Sequence, residues 1–129
     1  MARHAVNEIP GRKDLPQRTF RFALRIVRLC ETLKEMGGVG RMMSWQLFKS
    51  GTSIGANVEE AQAAQSEADF LTKCSIACKE AREAHYWLRL LAQANVLSPE
   101  RLEGVIQECD ELVAILMAIV KRLKQKRTT

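Results

Sequence analysis

The sequence predicts an all-α protein, an antiparallel up-down-up-down four-helix bundle, and three observations carry that prediction. Apolar residues make up 47% of the 129 residues and only three prolines occur, a balance too apolar for a disordered chain. Aromatics are only 5% and β-branched runs are few, which argues against an all-β protein. Four segments repeat apolar residues at intervals of three and four, the period of a helix buried on one side. Short connections between the segments make sequential helices antiparallel neighbours. A chain of this length forms one domain, with residues 14–129 as the bundle and residues 1–13, which hold little to bury, as a flexible arm.

The first helix opens at Asp14, with Gln17 three residues on as a capping box and Pro16 in the opening turn, and it ends before Gly37 and Gly38. Phe22, Ile26, Leu29, Leu33 and Met36 form its seam. A second apolar set, Phe20, Ala23, Leu24, Val27 and Cys30, widens the arc past half the circumference, so packing is expected on two sides, one of them beyond the monomer. The second helix spans residues 41–64, with Leu47, Gly51, Ile54, Val58 and Ala61 in register. The third starts at Ser66, with Asp69 completing a capping box, and Phe70, Cys74, Ala77, Ala81, Ala84, Leu88 and Leu91 follow. Ser98 as N-cap and Pro99 at the first helical position open the fourth, whose seam is Leu102, Val105, Cys109, Leu112, Leu116, Ile119 and Leu123. From Leu112 to Val120 that helix is apolar all round, which in a monomer leaves hydrophobic area in water and points to a homo-oligomer.

No secretion signal or membrane-length apolar run is read in the sequence, so a cytoplasmic location away from membranes is expected. Cys30, Cys74, Cys78 and Cys109 all fall in helical patterns and read as free thiols acting as small apolar residues. Cys74, Cys78 and His85 lie on one helix, but His85 is nearly three turns from Cys74, a poor fit to one ion. Neither histidine follows a Glu by three residues, as a di-metal bundle requires. No P-loop, dinucleotide fingerprint, nucleophile elbow or catalytic triad signature occurs. Neither an enzyme nor a cofactor or metal site is expected.

The stretch SGTSIGANVEEA, residues 50–61, places Gly51 and Gly55 four apart inside a helical pattern. Each glycine costs about 1 kcal/mol relative to alanine in a helix interior. Close backbone packing of a neighbouring helix explains the cost. Asn57, one turn from Ser53, is expected to hydrogen-bond across the bundle.

Ser53, Ile54, Asn57, Val58 and Glu60, followed by Ser66, Asp69, Phe70, Ile76, Ala77 and Glu83, resemble the signature of the bacterial four helix bundle protein family. Its members are also called intervening-sequence proteins, because some are encoded inside insertions in large-subunit ribosomal RNA genes. The resemblance covers residues 17–125. Ala61, the Gln62–Gln65 connection, Lys79 and Glu80 depart from the common pattern. The resemblance implies a homopentamer without established enzymatic activity. A distant branch similar in fold, the accessory variability proteins of diversity-generating retroelements, binds a reverse transcriptase and nucleic acid, which implies an adaptor.

Charge suggests where such a partner would bind. The formal net charge is +5. Arg18, Arg21, Arg25 and Arg28 are spaced by three, four and three, a stripe of guanidiniums able to track phosphates of RNA or DNA. Arg3, Arg12 and Lys13 lie just upstream. Lys121, Arg122, Lys124, Lys126 and Arg127 crowd the C-terminus, where the helix dipole already favours cations. Bundle topology places this tail near Arg12 and Arg18 in one basic pole. The competing reading is a scaffold that binds only a protein partner, its positive charge incidental.

Overall fold

A computed structural model describes residues 6–128, with side chains through residue 126. Four long helices make up the described chain: α1, Leu15–Met36; α2, Gly38–Gln62; α3, Glu67–Gln93; and α4, Pro99–Thr128. Consecutive helices pack against one another, and α1 and α4 close the ring more loosely. Matched pairs give the directions. Ile26 meets Gly51 and Thr19 meets Gly55 across α1 and α2; Glu60 pairs with Lys73 across α2 and α3 at 2.9 Å. On α1 and α4, Arg18 meets Glu108 while Arg25 meets Gly104. Rising numbers against falling ones define the antiparallel bundle.

Every residue of the expected α2, α3 and α4 seams is buried. The α1 seam differs: Leu15, Thr19, Phe22, Ile26, Cys30 and Leu33 are buried, Leu29 is half-buried, and Met36 is exposed. The Thr19 hydroxyl donates to the Leu15 carbonyl at 2.9 Å, so a polar residue enters the core with its donor satisfied in its own helix.

The turns follow local chemistry. One residue, Gly37, separates α1 from α2, and Gly37 and Gly38 both take positive φ, +73° and +55°, which side chains resist. Ser66 accepts the Asp69 backbone N–H at 3.0 Å and Ser98 accepts that of Arg101 at 3.4 Å, both as N-caps. Asp14 makes no side-chain cap; its carbonyl instead accepts the Arg18 N–H, because the chain enters α1 already coiled.

The SGTSIGANVEEA stretch does not break α2. A Cβ at Gly51 would stand 2.8 Å from two carbons of Ile26, and one at Gly55 would stand 3.2 Å from the Thr19 carbonyl oxygen. Close approach of α1 is therefore the reason for both glycines. Ile54, between them, is fully buried. Asn57 corrects the expectation of a cross-bundle bond: its amide donates to the Ser53 carbonyl at 2.8 Å, and Ser53 donates to Lys49 at 2.6 Å. The small seam leaves no room between α1 and α2 for an amide, so Asn57 turns back onto its own helix.

The premise of the flexible arm fails for residues 6–13. Val6 is 0% exposed and Ile9 7%, and Gly11 sits against Ile115. This segment covers the outer side of α4. Ile115 is consequently buried, and Val113, Ala118 and Val120 are partly buried against the core, although Met117 is exposed. Apolar residues also stay exposed on α1 and α2, among them Phe20, Leu24, Val27, Trp45 and Phe48, the first three from the α1 set expected to pack beyond the monomer.

Candidate nucleic-acid interface

The arginine stripe on α1 faces α4, and the sequence of α4 divides it. Glu108 and Glu111, one turn apart, both reach Arg18. Its Nε donates to Glu108 at 3.0 Å, and its Nη2 donates to Glu108 at 2.7 Å and to Glu111 at 3.0 Å. The hydrogen bonds to Glu108 raise the guanidinium's proton affinity, partial burial opposes this, and Glu111 adds to it. Glu111 is held below the ordinary carboxylate range by Gln107 first and Arg18 second. Arg18 is thus a structural clamp between α1 and α4 rather than a free phosphate ligand.

Beyond that clamp the balance changes. Arg21, Arg25 and Arg28 are exposed and, among the described residues, form no ion pair. Arg25 lies over α4, its Nη2 only 3.1 Å from where a Cβ of Gly104 would stand. Arg25, Arg28 and Arg101 line a cleft of about 250 Å³ between α1 and α4, walled by Leu29, Thr32 and Val105, with no acid in the lining. Arg101 falls outside the residues expected at the interface, since nothing in a linear pattern links it to α1. Its one local signal is its position in the first turn of α4, where the helix dipole disfavours a cation.

Arg18 and Gly11 line one hollow with Ala118, near the basic end of α4, but the charges expected at this pole are not all free. Arg12 is buried, its guanidinium 5.8 Å from the centre of the Phe70 ring, and Arg18 is paired. Lys121, Arg122, Lys124 and Lys126 are exposed on the last turns of α4, while the side chain of Arg127 and all of Arg3 lie outside the described residues. At 1.5 Å per residue, Lys121 is about 30 Å along α4 from Arg101. Two basic regions stand at opposite halves of the bundle, too far apart to hold one phosphate.

The other chemistry-bearing residues are structural in character. Glu60 pairs with Lys73, and Glu83 accepts the Trp87 indole N–H at 3.2 Å. His85 Nε2 is 3.8 Å from Asp110. Burial pushes the Cys30 thiol up to about 11 and Cys109 to about 12, the latter aided by Asp110 and Glu108. Among the described residues, no group of three His, Cys, Asp or Glu side chains is placed to hold a metal, and no helix is long and apolar enough to cross a membrane.

Fold and surface together define an all-helical bundle with a cleft of arginines along one helix pair. The chain belongs to the 23S rRNA-intervening sequence protein family, whose profile matches residues 13–118. It is also similar to the crystal structure of a protein of unknown function from the S23 ribosomal protein family of Bacteroides thetaiotaomicron. That likeness has 41% identity and a TM-score of 0.76, over 83% of this chain and 98% of the other. No curated protein matches the chain.

Proposed function

We propose that the protein is a non-enzymatic, self-associating adaptor that binds RNA or DNA through the α1–α4 arginine face. One observation carries the reading: Arg21, Arg25 and Arg28 are exposed without carboxylate partners while their neighbour Arg18 is fully engaged. Exposed arginines without carboxylate partners keep their full charge available to a polyanion. Arginine forks match phosphate geometry, and each neutralised phosphate releases counterions. The lysines and arginines at the end of α4 extend the positive field and steer a polyanion towards the bundle. Because the family members named above carry no assigned reaction, this is a binding function, and a reverse transcriptase or other nucleic-acid enzyme is the kind of protein such an adaptor would serve.

Self-association is supported by a different face. Phe20 and Trp45 are each about three-fifths exposed, at 60% and 59%. Val27, Trp45 and Phe48 line a groove of about 450 Å³ between α1 and α2. A contiguous apolar face of this kind is what subunit interfaces bury, and a ring of five copies is the assembly the family resemblance implies.

The test is binding of labelled single-stranded and duplex RNA and DNA across a salt series, with the triple variant Arg21, Arg25 and Arg28 to Gln alongside wild type. The expected result is affinity falling steeply with salt in wild type and a shallower slope in the variant, by about one unit for each phosphate no longer neutralised. Absence of binding at low salt would leave the protein-only scaffold.

A further inference from the structure

We infer that the cleft formed by Arg25, Arg28 and Arg101 is a binding pocket for a phosphate monoester. Arg25 and Arg28 belong to the α1 stripe, and Arg101 joins them from a different helix. Three arginines line one cleft with no carboxylate in its lining. Arg101 adds its charge in the first turn of α4, where the dipole is already positive. A bound anion would offset the three charges, since no carboxylate lines this cleft.

Charge and size select the ligand. A phosphate monoester carries about two negative charges near neutral pH and three terminal oxygens, each able to accept from an arginine fork. A phosphodiester in a running backbone offers one charge and two oxygens. A single carboxylate offers the same charge and leaves two guanidiniums uncompensated. The cleft's volume of about 250 Å³ is below the range of about 300–1,000 Å³ that encloses a drug-sized ligand. The cleft matches a small end group better than a whole drug-sized ligand. The apolar walls, Leu29 and Val105, meet the first atoms of whatever the phosphate is attached to, and the Thr32 hydroxyl stands at the rim.

Gly104 completes the arrangement. It sits inside α4, where a glycine costs about 1 kcal/mol relative to alanine, and the space of its missing side chain is taken by the Arg25 guanidinium. The glycine lets the Arg25 guanidinium approach α4 closely on the cleft that Arg101 also lines.

The monoester comes either from the end of a nucleic-acid strand or from a free nucleotide or phosphate. The first source rests on the proposed arginine face; the pocket itself does not. Inorganic phosphate is therefore titrated alone into the full-length protein, following the arginine Nε–H signals by nuclear magnetic resonance against acetate at matched ionic strength. Separately, 5′-phosphorylated and 5′-hydroxyl single-stranded RNAs of one sequence are compared by fluorescence anisotropy in wild type, Arg101→Gln and Arg89→Gln. Arg89 is an exposed arginine on α3, so its variant matches the charge change away from the cleft.

The expected result is a saturable shift of Arg25, Arg28 and Arg101 with phosphate but not acetate. A preference of about tenfold for the phosphorylated strand is also expected, the size of one charge-assisted hydrogen bond, abolished in Arg101→Gln and kept in Arg89→Gln. Equal binding of both strands with no saturable phosphate shift would overturn the pocket and leave the arginine face standing. Saturation by phosphate with no strand bound would overturn the arginine face and assign the pocket to a free phosphate compound. Retention of the strand preference by Arg101→Gln would overturn the pocket outright.

Discussion

Two glycines in helix interiors illustrate how one residue type serves opposite ends. At Gly51 an added carbon meets Cβ-branched Ile26 at 2.8 Å in the core, whereas at Gly104 it meets only the far end of an exposed arginine at 3.1 Å. Gly51→Leu is expected to destabilise by about 1–3 kcal/mol through overpacking. Gly104→Ala is expected to stabilise by up to about 1 kcal/mol from helix propensity, because the guanidinium can move. Thermal melting of the pair checks this, and a similar loss in both would contradict it. The thiols give a second expectation at this scale. Burial raises Cys30 and Cys109 far above neutrality and raises Cys78 less, its neighbours Arg82 and Lys124 opposing the rise. Since the thiolate is the reactive form, Cys78 is expected to react first with an aromatic disulfide reagent, with Cys30 and Cys109 reacting only as fast as the protein unfolds. Mass spectrometry of partly modified protein decides the order.

At the scale of elements, the Arg18 clamp is the polar tie between the two neighbouring helices that pack most loosely. Glu111 binds its proton more weakly in the folded chain than in the unfolded one. Its contribution to stability is therefore present above the ordinary carboxylate range and lost as pH falls through that range. Arg18 stays protonated throughout and adds no pH dependence of its own. Urea unfolding between about pH 6 and pH 3 is expected to show the midpoint falling on acidification. Arg18→Gln should be less stable at pH 6 and fall less steeply, and a parallel fall in both proteins would remove the clamp from the account. Seams of α2, α3 and α4 are legible residue by residue, since a regular three-four spacing has one way to face a core. The α1 seam is legible only in part. Leu29 and Met36 fit the period as well as Cys30 does, and only the packing of α2 along α1 selects Cys30, whose Sγ reaches the Ser44 carbonyl at 3.4 Å.

For the whole molecule, the apolar surface available to drive association keeps the α1 set that the sequence predicts, Phe20, Leu24 and Val27, while much of the α4 stretch is covered. Residues 6–13 cover part of α4, and the exposed apolar residues include Phe20, Leu24 and Val27 on α1 with Trp45 and Phe48 on α2. If this face joins subunits, light scattering at micromolar concentration is expected to give a multiple of the 14.6 kDa chain. Leu24→Lys should shift it towards the monomer without lowering the helical signal. A monomeric wild type would contradict self-association on this face.

Periodicity, capping residues and glycine placement determined the number of helices, their order, most of their core and the reason for the SGTSIGANVEEA stretch. All of these depend on residues within a few turns of one another, which is the range that side-chain period and local hydrogen bonds encode. The basic site was different. Four arginines on one helix look alike in the chain, and their sorting into a clamp and an open cleft depends on which α4 residues stand opposite: Glu108 and Glu111 for Arg18, Gly104 for Arg25, Arg101 beside Arg28. Those partners lie some seventy to ninety residues away, and electrostatic pairing across such a separation is set by helix packing, not by any pattern along the chain.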